Sequence, residues 1–538
     1  MNKLLKKICF SFCLFLLIDV NIFAYGDIIS FDSEMITDLS PDQGLFNFFG
    51  KKKKKRKKKN LDQQQENQEK NLVEYTEDTA SQELSPNSKE NIFDLDIKSS
   101  SFVLVCDNSV ESYKYTLEIL KNAKWSIEMS LCMAGGDLFQ KIIYTTKQRM
   151  LEQSNLKVFL MLEPIFLDEQ DHNVVRELKE EFSDRFFVTW TDFAPTNFPI
   201  ANVHQRHSKF VVVDQRYFVL GGTNFEDLMC TRGDCIPENI ETPRRHMFME
   251  RPLAFRDQDV VCCSDKIARE LRKEFHCSFK LWENFSLTRI FVKDPNYFEN
   301  DNYFFEEETE SSCIVDTFHY HPDLVIVPNN SLELFFSGPQ YEENSSPITN
   351  KYIDLINMSE KEILIANLYF IPYKDLLDTL ITRAQDGINL EIIGNGINDK
   401  SPSLVEVYCW GNRYNYTSLL FGRTFYLWEK NFAQSLPYNE NVNIYEFYVN
   451  NTQLHKKIMI IDENKFVIGS YNFCLKSHNI DQEVILVITS PEVAKKAKAI
   501  FEKDKMLSQK LSSKEILDWH FNLYYHSQGF IQTKYMPA

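Results

Sequence analysis

Two segments of the sequence carry the same pattern of residues at the same spacing. The first reads HSKFVVVD over residues 207–214 and continues to GGTN at 221–224. The second reads HKKIMIID over residues 455–462 and continues to GSYN at 469–472. In both segments the asparagine follows the histidine by 17 residues. One match of this kind is weak evidence, but two equally spaced matches indicate an internal duplication.

The sequence before each motif repeats as well. Residues 114–132 and 351–369 both begin with Lys-Tyr, continue with a helical period and end in a strand-like run. A further helix and a second strand-like run follow each of them, at 157–163 and 389–395. Alternation of helix and strand indicates α/β layers with buried sheets. The two copies therefore predict two similar α/β lobes.

The motif supplies polar side chains in pairs, namely His207 and His455, Lys209 and Lys457, and Asn224 and Asn472. Alternation along a strand places the histidine and the lysine of each motif on one face. The apolar runs that follow predict buried strands, and the glycines allow close approach of the backbone. Two imidazoles, two ammonium groups and two amides that converge between lobes suit a five-coordinate phosphorus with attacking and leaving groups on opposite sides.

The paired motifs resemble the two HKD motifs of the phospholipase D superfamily, over residues 100–510. The resemblance implies two similar phospholipase D-like α/β lobes packed around one shared active site, with no cofactor and no metal. It implies a covalent phosphohistidine on His207, while His455 protonates the leaving alcohol and then activates water. The remaining implied catalytic residues are Lys209, Lys457, Asn224 and Asn472, which would hold the phosphoryl oxygens, and the motif aspartates Asp214 and Asp462.

In this superfamily an acidic residue downstream of each motif orients an imidazole. The second copy has Ser477 and then Asp481-Gln-Glu483, which is close to the usual S…NxE pattern, so Glu483 fits this role. In the first copy residues 228–250 resemble an insertion. The acid is then Asp257 or Asp259, and we favour Asp257.

The charge distribution separates one short basic segment from an acidic chain. The 538 residues carry a net charge of −17, although residues 51–59 read KKKKKRKKK. So acidic a body is a poor generic binder of nucleic acid, because phosphates would be repelled. The basic run from Lys51 to Lys59 has three open interpretations, which are a solvated disordered segment, contact with anionic lipid headgroups, and a signal resembling those for nuclear import in a host cell.

The sequence predicts five segments. They are a signal peptide at 1–24, a disordered linker at 25–99, a first lobe at 100–310, a second lobe at 311–512 and a C-terminal tail at 513–538. The leader predicts export to a secreted, periplasmic or membrane-associated location, with an uncleaved anchor as the alternative. Ten cysteines follow the leader without paired CxxC metal spacing. Cys230 and Cys235 are candidates for a disulfide, and buried free thiols are the alternative.

Aromatic residues are dense from 404 to 450, where they indicate either core packing or an apolar rim that grips acyl chains or a membrane. The segment LYFIPY at 368–373 resembles a stretch of bacterial cardiolipin synthases. We therefore expect a phosphodiesterase that hydrolyses phospholipids or transfers phosphatidyl groups. A nuclease and an inactive membrane-binding homologue are the alternatives. The expected partners are a phospholipid and a membrane surface rather than nucleic acid, and a monomer is expected because one chain holds both motifs.

Overall fold

The computed structural model describes residues 99–164, 167–191, 204–233, 254–288, 315–341, 346–397 and 408–535. The predicted signal peptide, the basic run at 51–59 and all but the last residue of the predicted linker lie outside these ranges. The described residues form two large sheets that are flanked by helices.

The first sheet has eight strands in the order β11-β1-β10-β7-β6-β2-β4-β5. Its region of the chain contains eleven strands in the described residues, of which β3, β8 and β9 form smaller pairings. They are β1 (Ser100–Val105), β2 (Ser126–Leu131), β3 (Ala134–Gly135), β4 (Lys157–Leu162), β5 (Phe186–Trp190), β6 (Phe210–Val213), β7 (Tyr217–Gly221), β8 (Phe225–Glu226), β9 (Ala254–Arg256), β10 (Asp259–Cys263) and β11 (Val325–Pro328).

The second sheet also has eight strands, in the order β12-β19-β18-β17-β13-β14-β15-β20. Strand β16 pairs instead with β9 of the first region. The strands are β12 (Leu332–Ser337), β13 (Glu362–Asn367), β14 (Asn389–Asn395), β15 (Val442–Phe447), β16 (Thr452–Leu454), β17 (Lys457–Ile461), β18 (Lys465–Gly469), β19 (Glu483–Thr489) and β20 (Ser508–Lys510).

Helices pack around both sheets. Those of the first region are α1 (Ser109–Asn122), α2 (Gly136–Glu152), α3 (Glu169–Glu181), α4 (Asp265–Thr288) and α5 (Asp316–His319). Those of the second region are α6 (Pro347–Asn357), α7 (Lys374–Gln385), α8 (Cys409–Phe421), α9 (Lys430–Ala433), α10 (Leu475–Asn479), α11 (Pro491–Met506), α12 (Ser513–His520) and α13 (Leu523–Tyr535). None of the described helices is long and apolar enough to cross a membrane.

The two sheets share one topology. In each, three neighbouring strands are parallel, β2-β4-β5 in the first sheet and β13-β14-β15 in the second. A hairpin that carries the motif then adds antiparallel to the first of these strands, as β6-β7 and β17-β18. Parallel neighbours require crossover connections, which the intervening helices supply. The predicted α/β fold with two similar lobes is confirmed.

One apolar core joins the lobes. Phe218 and Leu220 of the first sheet belong to the same buried cluster as Phe466 and Ile468 of the second, together with residues of α4 and α11. One further core lies under the outer helices of each lobe. Because each sheet is buried on both faces, the central strands are continuous apolar runs rather than alternating ones.

Two features differ from the predicted segment boundaries. Strand β11 pairs with β1, so the first sheet continues beyond residue 310, which was expected to end the first lobe. The predicted tail after residue 512 contains α12 and α13, which pack on α8. The rings of Trp410 and Tyr525 stack with centroids 4.0 Å apart, and Asn415 Nδ2 donates to Thr533 Oγ1 at 3.0 Å. The described cysteines are buried free thiols, and Cys235 lies outside the described residues.

Candidate active site

Each motif histidine stands in a short segment that contacts the opposite lobe. The backbone N–H of His207 donates to the carbonyl of Gln482 at 3.0 Å, and that of His455 donates to Arg256 at 2.8 Å. Strand β16, just before His455, runs parallel to β9 of the first region. The two lobes therefore exchange backbone contacts reciprocally, and these contacts bring both histidines to one interface.

Each imidazole contacts a carboxylate from the other lobe. His207 Nδ1 lies 3.0 Å from both oxygens of Glu483, and His455 Nδ1 lies 2.6 Å from Asp257 Oδ2. Asp259 points elsewhere, and its carboxylate accepts hydrogen bonds from Ser112 and Thr223. Because Nδ1 is occupied in both rings, Nε2 is the nitrogen that is left to face a substrate.

The two motif lysines are buried beside the histidines. Lys209 Nζ donates to the carbonyl oxygen of His207 at 2.8 Å. Lys457 Nζ donates to the carbonyl oxygen of His455 and lies 3.0 Å from its Nδ1. The structure therefore brings both ammonium groups to the interface, where they supply positive charge.

The two asparagines are also buried, and their contacts differ. Asn224 Oδ1 accepts from the backbone N–H of Met133 at 3.4 Å. The backbone N–H of Asn472 donates to Ser477 Oγ at 3.2 Å, whereas its side-chain Oδ1 has no hydrogen-bond partner among the described residues.

The structure corrects the placement of the two motif aspartates. Asp214 and Asp462 lie at the far ends of β6 and β17 from the histidines, at the tips of the hairpins. Both have φ of 52°, and each carboxylate accepts backbone N–H groups from the segment before the first parallel strand. A left-handed conformation suits Asp or Asn at a tight turn. These carboxylates fix the hairpin and do not join the interface cluster.

Comparison with known proteins gives a family match for the second lobe. Residues 352–505 match the family model described as "Cardiolipin synthase, PLD-like domain". The second lobe carries a phospholipase D-like domain. The resemblance to the phospholipase D superfamily that the motifs predicted is therefore confirmed, and the matched residues include the second motif and Glu483.

Relatives and solved structures extend the likeness to more of the chain. A probable cardiolipin synthase of Bacillus subtilis is 24% identical over 227 residues, which are 42% of this chain and 38% of that protein. Cardiolipin synthase 2 of Staphylococcus epidermidis is 26% identical over 327 residues, 60% of this chain and 52% of that protein. The chain thus spans less than two thirds of either relative. Phosphatidylserine synthase of Haemophilus influenzae shares the fold, with a TM-score of 0.51 and 12% identity over 80% of this chain and 95% of that one.

Electrostatics differ between the two halves of the phospholipase D-like site. Burial would raise the pKa of Asp257, yet His455 and Lys457 together hold it below its usual range. Burial raises the pKa of Glu483 to about 7, although Lys209 opposes the shift. Asp257 is therefore ionised at neutral pH, whereas Glu483 exchanges a proton there.

The bases of the site have lowered pKa values. Burial and then Lys209 lower the pKa of His207 well below its usual range, and burial and then Lys457 lower that of His455 to about 4. Burial also lowers the pKa of Lys457 to about 7, against the attraction of Asp257. A bound phosphodiester would raise all three values, because its negative charge favours the protonated forms.

Sequence reasoning missed a polar group beside His207, which we name the Lys476 cluster and define as Glu163, Gln205, Lys476 and Asp481. Lys476 Nζ lies 3.0 Å from Asp481 Oδ2 and donates to Gln205 Oε1 at 2.9 Å. Gln205 Nε2 donates to Glu163 Oε2 at 2.7 Å. Only Asp481 carried a signal, as part of the acidic pattern before Glu483. The other three lie outside any motif.

The ring of His207 and the carboxylates of Asp481 and Glu483 place possible ligand atoms within 4.8 Å of one another. These groups are already engaged. Glu483 accepts from Ser470 and Ser477 and contacts His207, while Asp481 pairs with Lys476. The arrangement is therefore a hydrogen-bond network in which ammonium groups provide the positive charge.

The aromatic segment from 404 to 450 divides into two parts. Buried rings such as Tyr416 and Phe425 pack in the second lobe. Tyr426 and Trp428 are 62% and 81% exposed, but they follow α8 at the end of the sheet where β15 begins. His455 follows the opposite end of β15. The exposed rings therefore do not line the phospholipase D-like site.

Proposed function

We propose that this chain is a phosphodiesterase of phospholipids that transfers the phosphatidyl group to an alcohol or to water through a phosphohistidine. The observation that carries the proposal is the reciprocal pairing of His207 with Glu483 and of His455 with Asp257 across the lobes. This pairing fixes both rings and leaves both Nε2 atoms for opposite faces of one phosphorus.

In the first step Nε2 of His207 attacks phosphorus and the bond from phosphorus to the leaving oxygen breaks. His455 gives its proton to that oxygen, so the alcohol departs neutral. The ionised Asp257 stabilises the protonated form of His455 that this step requires. Lys209 and Lys457 balance the charge that develops on the phosphoryl oxygens.

In the second step neutral His455 removes a proton from an incoming alcohol or water. The new oxygen attacks phosphorus from the side that the first alcohol left, and the bond to His207 breaks. The same intermediate therefore serves transfer and hydrolysis, and the acceptor decides the product. Lys457, with its pKa near 7, gains charge when the anionic substrate binds.

The phospholipid substrate rests on the comparisons and on charge. The printed names of the relatives describe cardiolipin synthases, and the protein that shares the fold is a phosphatidylserine synthase. The net charge of −17 disfavours nucleic acid. We further propose the division into a leader at 1–24, a linker, two lobes and a C-terminal segment. Export, a monomeric state and lipid contact through residues 51–59 belong to the same proposal.

The test is to incubate the purified full chain with vesicles of mixed phospholipids, with and without glycerol, and separately with single-stranded and double-stranded DNA. We expect release of the lipid headgroup in water and new phosphatidylglycerol when glycerol is present. The His207→Asn variant controls for contaminating activity. Cleavage of DNA without cleavage of lipid would replace this proposal with a nuclease.

The proposed chemistry needs no metal, because two histidines and two lysines supply the positive charge. Turnover of a soluble short-chain phosphatidyl ester should be equal with and without excess chelator. The soluble substrate is essential, since cations also alter the packing of lipid vesicles. Loss of turnover that one specific metal restores would contradict the mechanism.

A further inference from the structure

The two histidines have different neighbours at equivalent positions. Phe255 stands two residues before Asp257, and its ring stacks on His455 with centroids 4.5 Å apart and planes at 21°. Asp481 stands two residues before Glu483, and its carboxylate lies in the same small volume as His207 and Glu483. One imidazole therefore faces an apolar ring where the other faces a carboxylate.

The Lys476 cluster holds Asp481 in this place. Asp481 Oδ2 pairs with Lys476 Nζ, and Lys476 is tied to Gln205. All three side chains are buried, and Asp481 Oδ1 has no hydrogen-bond partner among the described residues. A buried carboxylate oxygen without a hydrogen-bond donor costs free energy. Packing alone therefore does not explain why a second carboxylate, besides Glu483, lies beside His207.

We propose that Asp481 is a positioning residue that acts through His207, by stabilising the positive charge on the imidazole while His207 is bonded to phosphorus. This inference rests on the proposed function. When Nε2 forms the bond to phosphorus and Nδ1 keeps its proton, the ring carries one positive charge until that bond breaks. Glu483 neutralises part of it at Nδ1, and Asp481 adds a second negative charge nearby.

The asymmetry fits the unequal tasks of the rings. His455 only gains and loses a proton, and one ionised carboxylate is sufficient for that task. His207 carries its charge throughout the lifetime of the intermediate. The charged groups that face His207 come from both lobes and are Glu483, Asp481, Lys476, Lys209 and Lys457.

The sign of the effect follows from these groups. Burial and Lys209 lower the pKa of His207, whereas Asp481 raises it. Removing the charge of Asp481 should therefore lower the pKa of the His207–Glu483 pair. Because Nε2 must be unprotonated to attack, the acid limb of the profile of kcat/KM against pH should move to lower pH.

The experiment compares the full chain with Asp481→Asn, using the pH dependence of kcat/KM on a soluble short-chain phosphatidyl ester. We expect the acid limb to move down by about one pH unit and the trapped phosphohistidine to decrease severalfold. Adding Lys476→Met to this variant removes the unpaired cation and should move the limb back towards wild type. Asp323→Asn, in an exposed ion pair with Lys496, is the matched control and should leave the limb in place.

A merely structural role gives a different pattern, in which the rate falls without a shift and the second substitution adds damage instead of rescue. That result would overturn the inference. If Asp481→Asn does not fold, Lys476→Met alone is the test. Removing this cation should move the acid limb of the pH profile to higher pH, and an unmoved limb would overturn the inference. NMR titration of the His207 ring gives the pKa without turnover. An inactive wild-type chain would instead contradict the proposed function.

Discussion

The two halves of the site reach the same contact by different packing. Glu483 is the longer acid, and the hydroxyls of Ser470 and Ser477 donate to its two oxygens. Asp257 is shorter, and it packs against Gly222, the counterpart of Ser470. A Cβ on Gly222 would lie 2.1 Å from Asp257 Oδ1. The longer glutamate is thus held by two serine hydroxyls, whereas the aspartate fits only because the residue beside it is a glycine without a side chain.

Under the proposed mechanism, this difference allows the two duplicated lobes to hold different roles. The half around His455 combines an ionised aspartate with an apolar ring, which suits reversible proton exchange. The half around His207 combines two carboxylates with hydroxyl donors, which suits a ring that becomes cationic. In the proposed mechanism, the similarity of the two lobes places the histidines and carboxylates, and the local differences around them separate their tasks.

The largest expected loss of turnover comes from replacing each histidine. A change of leaving group then distinguishes the two replacements. His207→Asn should lower turnover by about 10⁴-fold on every ester, because no nucleophile remains. His455→Asn should be as slow on an alkyl ester but recover most of its burst rate on a nitrophenyl ester, whose leaving group needs no proton. Stopped-flow release of nitrophenolate measures the difference. Equal recovery in both variants would remove the distinction between the halves.

Neutralising the orienting carboxylates should have a smaller effect. Asp257→Asn and Glu483→Gln should each lower kcat by about 10²–10³-fold, because the ring loses its orientation and its counter-charge. Only the loss caused by Asp257→Asn should be relieved by a nitrophenyl leaving group, since Asp257 acts through His455, which donates the proton to the leaving group. Steady-state kinetics on paired alkyl and nitrophenyl esters provide the comparison. If Glu483→Gln is relieved to the same extent, the two roles are assigned to the wrong halves.

The hairpin aspartates should affect stability and leave the chemistry nearly unchanged. Asp214→Ala and Asp462→Ala each remove a carboxylate that accepts several backbone N–H groups at a turn with positive φ. We expect each to lower the free energy of unfolding by about 1–3 kcal/mol. Urea unfolding measures this, with kcat below the transition as the companion value. A loss of kcat comparable to that of the carboxylate variants would return these residues to the active site.

The smallest effect on the chemistry should come from deleting residues 51–59. Each basic residue near an anionic surface contributes on the order of 1 kcal/mol, so binding to anionic vesicles at low salt should weaken. Turnover of a soluble ester should not change, because neither half of the site is touched. A variant with nine glutamines in place of the run controls for length. Equal vesicle binding by all three proteins would exclude the lipid-contact role.

The sequence predicted what depends on local spacing and duplication. Two equally spaced motifs were sufficient to predict two lobes and the meeting of His207 with His455, because each motif encodes one strand and its turn. Asp214 and Asp462 were grouped with the catalytic residues by the resemblance, although an extended strand separates each of them from its histidine. Strand β11 and helices α12 and α13 were missed for a different reason. Their partners are distant in sequence, and short apolar runs do not reveal them.

The crossed pairing of histidines and carboxylates has a consequence for a chain that is still being made. Glu483 follows His207 by 276 residues, so the first lobe leaves the ribosome long before that acid exists. Until β19 is synthesised and docked, His207 lacks Glu483, the carboxylate that contacts its Nδ1. Under the proposed mechanism, a chain that stops before β19 should therefore be inactive. On that mechanism, reactivity begins only once the second lobe is complete through β19.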